Sequence, residues 1–219
     1  MQYRFEATAD YEKGITEVEI LLNLAITNEE NRILFLKLAI VSLVTKFQVF
    51  VENILEEFRY ELNGALSKNL STYIKMNSLR LSLESSNPFT GLVKHHNYTE
   101  EKKKRVMEYL QSLSYFTEDD YKVDDNFNFS TKFPLGSTGK KELMNLLKQI
   151  DGDENPFEEF GEGEFAKLDS VLSMRHSIVH QDRFNGTDST VRENIDFLQE
   201  LVIYIDEYLA KKLQSIIDN

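Results

Sequence analysis

Cysteine is absent from the 219 residues, which excludes a disulfide framework, a thiolate zinc site and a cysteine nucleophile together. The chain suits a reducing compartment, so a cytoplasmic location is expected. The opening MQYRFEATADYEKG has no basic region followed by an apolar run, and no stretch reaches 18 uncharged residues. Neither a signal peptide nor a membrane span is therefore expected. Basic residues are also in short supply, with 25 Lys and Arg against 37 Asp and Glu and a formal net charge of -12. Broad attraction to nucleic acid or anionic lipid needs the opposite balance, so any polyanionic partner must be met locally. Internal repeats are missing, as is any polar–apolar alternation long enough to build a sheet.

Helical periodicity is what the chain has instead. A 41% hydrophobic content supports one domain over residues 1–219 with a sizeable core. Tyr11, Ile15, Val18, Ile20, Leu21, Leu22 and Leu24 mark a first helix over 8–25. Thr27 and Glu30 then form a capping-box pattern before a long apolar face that includes Leu34, Leu38, Val41, Leu43, Phe47, Phe50, Ile54, Leu55, Phe58 and Leu62. A weaker helix follows over 70–84, closed by the turn-favouring Ser85-Ser86-Asn87-Pro88. Asn97 or Thr99 caps another running to about 113, with Val106, Tyr109, Leu110 and Leu113 inward. Its first turns carry Lys102, Lys103, Lys104 and Arg105, a solvated face or a local phosphate-contacting patch. Residues 116–138 read as an irregular loop over the bundle, and Ser137 or Thr138 caps the short helix KKELMNLLKQI. Thr190 with Glu193 makes a second capping box before a last helix to about 217, whose face holds Ile195, Leu198, Leu201, Val202, Ile205, Leu209, Leu213 and Ile216. The expected fold class is an all-α helical bundle with two long amphipathic helices and a long irregular loop.

Chemistry concentrates in FAKLDSVLSMRHSIVHQD, residues 165–182. Leu168, Val171, Leu172, Ile178 and Val179 recur at helical spacing, and Arg175 occupies a position of the same stripe. A guanidinium cannot shed its charge and rarely sits in a core unpaired, so something must face it; a buried carboxylate such as Glu52 is one structural answer. His176 and His180 share a face about 100° to 140° round the helix from Arg175. Their i and i+4 spacing could present two imidazoles to zinc, but Ser177 stands where the metalloprotease motif has glutamate, and no spacing signal supplies a third ligand from His95, His96 or Asp182. The acidic segment 151–162 places Asp151, Asp153, Asn155 and Glu162 at calcium-loop positions, yet Pro156 occupies the glycine turn and Glu158 the apolar position. A solvated acidic connection is expected there, and neither a metal nor a cofactor for the chain.

RHSIVH, an arginine followed after four residues by a histidine, resembles the motif of the HEPN superfamily (higher eukaryotes and prokaryotes nucleotide-binding), in particular prokaryotic stand-alone HEPN-like nucleases. A polar residue follows the arginine, here His176, and an apolar pair, Ile178 and Val179, precedes the histidine. FAKLDSVLSM is similar to the family's Leu-rich approach, and LAIVSLVTKFQVFVENILEEF to its early core helix, with Phe47-Gln48 where members often have Phe-Glu. The glycine common after the motif histidine is Gln181 here. The resemblance covers most of 28–217. It implies a metal-independent endoribonuclease acting on RNA, with Arg175, His180 and His176 at the catalytic site. It also implies a homodimer that assembles two motifs into a composite site, and an antitoxin or defence-system partner protein. A non-catalytic interaction module on the same bundle is the alternative reading.

Overall fold

The computed structural model describes residues 5–86, 100–134, 139–152 and 155–218, and among them seven α-helices and one 3-10 turn at Ser67–Asn69 make up the helical structure. The α-helices are α1 (Glu6–Thr27), α2 (Arg32–Glu61), α3 (Thr72–Ser86), α4 (Glu100–Thr117), α5 (Gly139–Asp151), α6 (Glu162–Gln181) and α7 (Asp188–Ile217). The only strand-like pairing among the described residues is one isolated bridge between Leu66 and Lys122. The chain is all-α, as its periodicity required. It forms two compact units that interleave along the sequence.

The first unit comprises Met1–Glu57, Thr131–Asn145 and Asn155–Lys211. Its core is the inward face of α2, with Leu36, Ala39, Ile40, Leu43, Val44, Phe47, Val51, Ile54 and Leu55 buried, joined by the buried stripe of α7 from Val191 to Leu209. Phe133, from the irregular segment, packs edge-on against Phe47. Phe157 stacks on Phe165 at 3.9 Å between ring centres, so the turn before α6 is fixed by aromatic contact. α2 is long and apolar enough to cross a membrane by length and composition. Its core-facing residues are nonetheless packed within the protein.

The N-terminus of α1 is closed by side chains distant in sequence. Asp206 accepts from the Phe5 N–H at 3.1 Å and from the Thr8 hydroxyl, while Glu57 accepts from the Glu6 and Ala7 N–H groups at 2.7 and 2.8 Å. These groups are among the free donors that every helix start leaves, and a carboxylate there also suits the helix dipole.

The second unit comprises Phe58–Ser130, Leu146–Glu154 and Lys212–Asn219. Buried Tyr115, Val123, Phe127 and Phe129 line it, and Phe129 meets Phe58 edge-on. Ser71 caps α3, its hydroxyl accepting from the Ile74 N–H at 3.2 Å. Within α4, Lys103 pairs with Glu100 at 2.6 Å and Lys104 approaches Glu108 at 3.9 Å. Those two cations are thus partly neutralised by their own helix, and the side chains of Lys102 and Arg105 lie outside the described residues.

Several local expectations change. Thr27 does not cap α2; its hydroxyl donates back to the Asn23 carbonyl at 2.9 Å and closes α1. Asn28 takes the capping role instead, accepting from the Asn31 N–H at 3.2 Å. Before α7 the reciprocal box is Thr187 with Thr190, each hydroxyl accepting the other's N–H at 3.3 and 3.2 Å, whereas Glu193 accepts from Ser189. α7 begins at Asp188, three residues before Val191, so its cap lies three residues before Thr190. Ile20, Leu24, Leu34, Leu38 and Leu110 are exposed although they belong to apolar faces. Pro88, His95, His96, Asn97, Thr99, Ser137, Thr138 and Asp153 lie outside the described residues.

Candidate active site

α6 owes its position to three contacts in the first unit. At its middle, the Asp169 carboxylate accepts from the Lys140 N–H at 2.8 Å, so a side chain of α6 caps the start of α5. Next to that contact, Gly139 lets the helices approach closely, since a Cβ there would stand 1.8 Å from the Leu172 Cδ1. At the far end, the Asp182 N–H donates to Ile178 and the Arg183 N–H to Ser177, each at 3.2 Å. This Schellman closure puts Asp182 in the left-handed region at φ 53°, a conformation that is strained for most side chains but tolerated by aspartate. Lys37 of α2 fastens the same residue, donating to its carbonyl at 3.0 Å and its carboxylate at 2.6 Å.

Between these anchors the apolar stripe outlasts its packing partner. Leu168, Val171, Leu172 and Ile178 are buried, but Val179 is 48% exposed. Arg175 is half-buried, while His176 and His180 are both exposed. The Arg175 Nε is buried without a hydrogen-bond partner, and no acidic side chain among the described residues pairs with the guanidinium. Glu52, the carboxylate suggested by sequence as its partner, is engaged elsewhere: Gln48 and Lys132 donate to it at 3.2 and 3.1 Å, and the Phe133 N–H at 3.2 Å. Burial would push the Glu52 carboxyl up, but Lys132, the Phe133 N–H and Gln48 together hold it below the usual glutamate range. Among the described residues, Glu52 is therefore not the ion-pair partner of Arg175, and no other carboxylate takes that place.

His176 and His180 are brought together, their ring centres 4.5 Å apart and their planes inclined at 47°. The last turns of α6 thus carry a cation with no counter-charge among the described residues and two solvent-facing imidazoles. This is the chemistry of a phosphate site beside acid–base groups. The chain matches the family model described as RiboL-PSP-HEPN over residues 7–211. The protein is a member of the RiboL-PSP-HEPN family. It accordingly contributes a domain of the HEPN superfamily, and the all-α fold agrees. No curated protein and no solved structure matches the chain.

Of the calcium-loop positions, Asp153 and the Glu162 side chain lie outside the described residues. Asp151 ends α5 and pairs with Lys212, and no group of three or more potential metal ligands occurs among the described residues. Sequence reasoning missed Lys37 and Asp169, which set the position of α6. Neither carries a local signal, because each acts on an element more than 25 positions away.

Proposed function

We propose that this HEPN protein is a metal-independent endoribonuclease of the cytoplasm, working as a homodimer in which two copies of Arg175, His176 and His180 form one cleft. The observation that carries the reading is the half-buried Arg175 guanidinium, which pairs with no acidic side chain among the described residues. A fixed cation kept from carboxylates is available to an anionic group, and guanidinium pairs with phosphate oxygens in a planar fork. His180 accepts the proton of a ribose 2′-hydroxyl. The 2′-oxygen then bonds to phosphorus as the bond to the 5′-oxygen breaks, and the leaving oxygen takes a proton from a protonated imidazole. The products are a 2′,3′-cyclic phosphate and a free 5′-hydroxyl. Arg175 steadies the charge on the phosphoryl oxygens throughout. A regulatory antitoxin or other defence-system protein is the expected controlling partner.

The test is cleavage of a mixed RNA pool in excess EDTA, with product ends examined. His180→Ala should lower the rate about 10²- to 10⁴-fold while leaving the helical signal intact. Cleavage that survives in His180→Ala, or disappears in EDTA and returns with zinc, would overturn the assignment.

One observation favours a second reading, the non-catalytic interaction module. Ile20, Leu24 and Ile26 on α1 and Ile33, Leu34 and Leu38 on α2 are 41% to 54% exposed. Exposed large apolar residues in such number commonly mark a protein partner's surface. Tight binding of a partner protein by a chain that cleaves no RNA under any condition would select this reading.

A further inference from the structure

We propose that His176 and His180 form a two-imidazole chelate for a divalent transition-metal ion, Cu(II) or Ni(II), which occupies the nuclease motif and blocks it. The binding half of this statement stands on geometry alone, and the blocking half rests on the function proposed above. Both rings are solvent-facing, one helical turn apart, with centres separated by 4.5 Å. With metal–nitrogen bonds of about 2.1 Å, each ring centre stands about 3.2 Å from a bound ion, and two rings at about 90° lie about 4.5 Å apart. A tetrahedral angle would open that separation to about 5.2 Å. The ring-centre separation of 4.5 Å matches the cis spacing of a tetragonal or octahedral ion, the geometry that Cu(II) and Ni(II) prefer with nitrogen and oxygen donors, so chelation needs only ring rotation to aim the nitrogens.

No third ligand is needed for such a site. The described residues contain no cluster of three or more potential metal ligands, and the nearby Asp182 carboxylate is taken by Lys37. Water completes the shell, which makes the ion exchangeable and removable by chelators. This differs from a resident zinc centre, which sequence reasoning set aside for want of that third ligand. Copper should bind more tightly than nickel, following the ordinary order of affinities for divalent ions. Coordination uses the ring-nitrogen lone pair that an imidazole needs to accept a proton, so a metal-loaded motif has no base to offer. The consequence is a nuclease that needs no metal and is silenced by one.

The experiment uses the full chain and has two separate readouts. Calorimetric titration with NiCl₂, and electron paramagnetic resonance with CuCl₂, should show one ion per chain and coupling to two imidazole nitrogens. His176→Asn and His180→Ala should each weaken nickel binding about tenfold or more, because the second attachment point of the chelate is lost. The double variant His95→Asn, His96→Asn should bind as the wild type does; loss of the ion there would relocate the site and overturn the inference. Retention of wild-type affinity in His176→Asn would also overturn it. In the cleavage assay, Ni(II) should stop RNA cleavage and EDTA restore it. Cleavage that proceeds unchanged with the ion bound refutes the blocking half. If no RNA is cleaved under any condition while the two-nitrogen signal persists, the nuclease assignment has failed and the metal site has not.

Discussion

Replacing Arg175 with methionine should make the protein more stable and inactive at once. The guanidinium is half-buried, its Nε has no partner, and Glu52, the nearest sequence candidate for an ion pair, is committed to Lys132, Gln48 and the Phe133 N–H. A buried donor left unsatisfied costs about 1 to 3 kcal/mol, and methionine keeps most of the alkyl stem without that donor. The distal guanidinium retains some hydration, so the lower end of the range applies, with a net gain of about 1 kcal/mol. For a chain of this size, that raises the thermal midpoint by about 2 to 4 °C. Circular dichroism at 222 nm on heating reads the shift, and RNA cleavage in EDTA reads the loss of activity. The opposite result is equally informative. Breaking a true buried ion pair costs about 3 to 5 kcal/mol, so an Arg175→Met protein that melts many degrees early would show that the arginine holds the fold together and that the site has been misread.

Val179→Asp should weaken self-association about tenfold or more while leaving the monomer folded, because the side chain is 48% exposed and a charge in an apolar contact between copies is costly. Sedimentation at micromolar concentration checks this, and an unchanged dimer would remove the surface of residues 175–184 from the interface. Glu52 governs part of the acid limb of stability. Its folded-state value lies below the ordinary glutamate range, so its contribution is present above that range and is lost as pH falls through the depressed value. Glu52→Gln should therefore lower the midpoint near neutrality and converge on the wild type in acid; a gap that persists at low pH would contradict the linkage. In the nuclease assay, His176→Asn should impair cleavage less than His180→Ala, and equal loss would give both imidazoles indispensable roles.

The all-α fold and the HEPN relationship were legible because the signals that carried them are short-range. Periodicity over α2, α6 and α7 reports residues that share a face, and RHSIVH lies within two turns. Periodicity cannot report how far the packing partner extends. Val179 continues the stripe of Leu168, Leu172 and Arg175 in sequence, but the core ends before it, so the residue emerges into solvent. The same blindness placed Leu34 and Leu38 inside. Caps failed for a different reason: threonine, asparagine and glutamate cluster near both helix starts, and only the backbone selects Asn28 and Thr187 among them. Lys37 could not be assigned to Asp182 from sequence, since 145 positions separate them.

The closure of α1 has a consequence for biosynthesis. Its first N–H groups wait on Glu57 and on Asp206, the latter 201 positions from Phe5. A ribosome delivers the chain from its N-terminal end, so the helix made first is fastened only after nearly everything else has emerged. Contacts of such long sequence separation form late and slow folding. Until Asp206 emerges, α1, whose Ile15, Val18 and Leu22 are buried in the folded protein, lacks one of the two carboxylates that close its start. A chain cut short between residues 181 and 205 has RHSIVH in full but lacks the residue that latches its first helix.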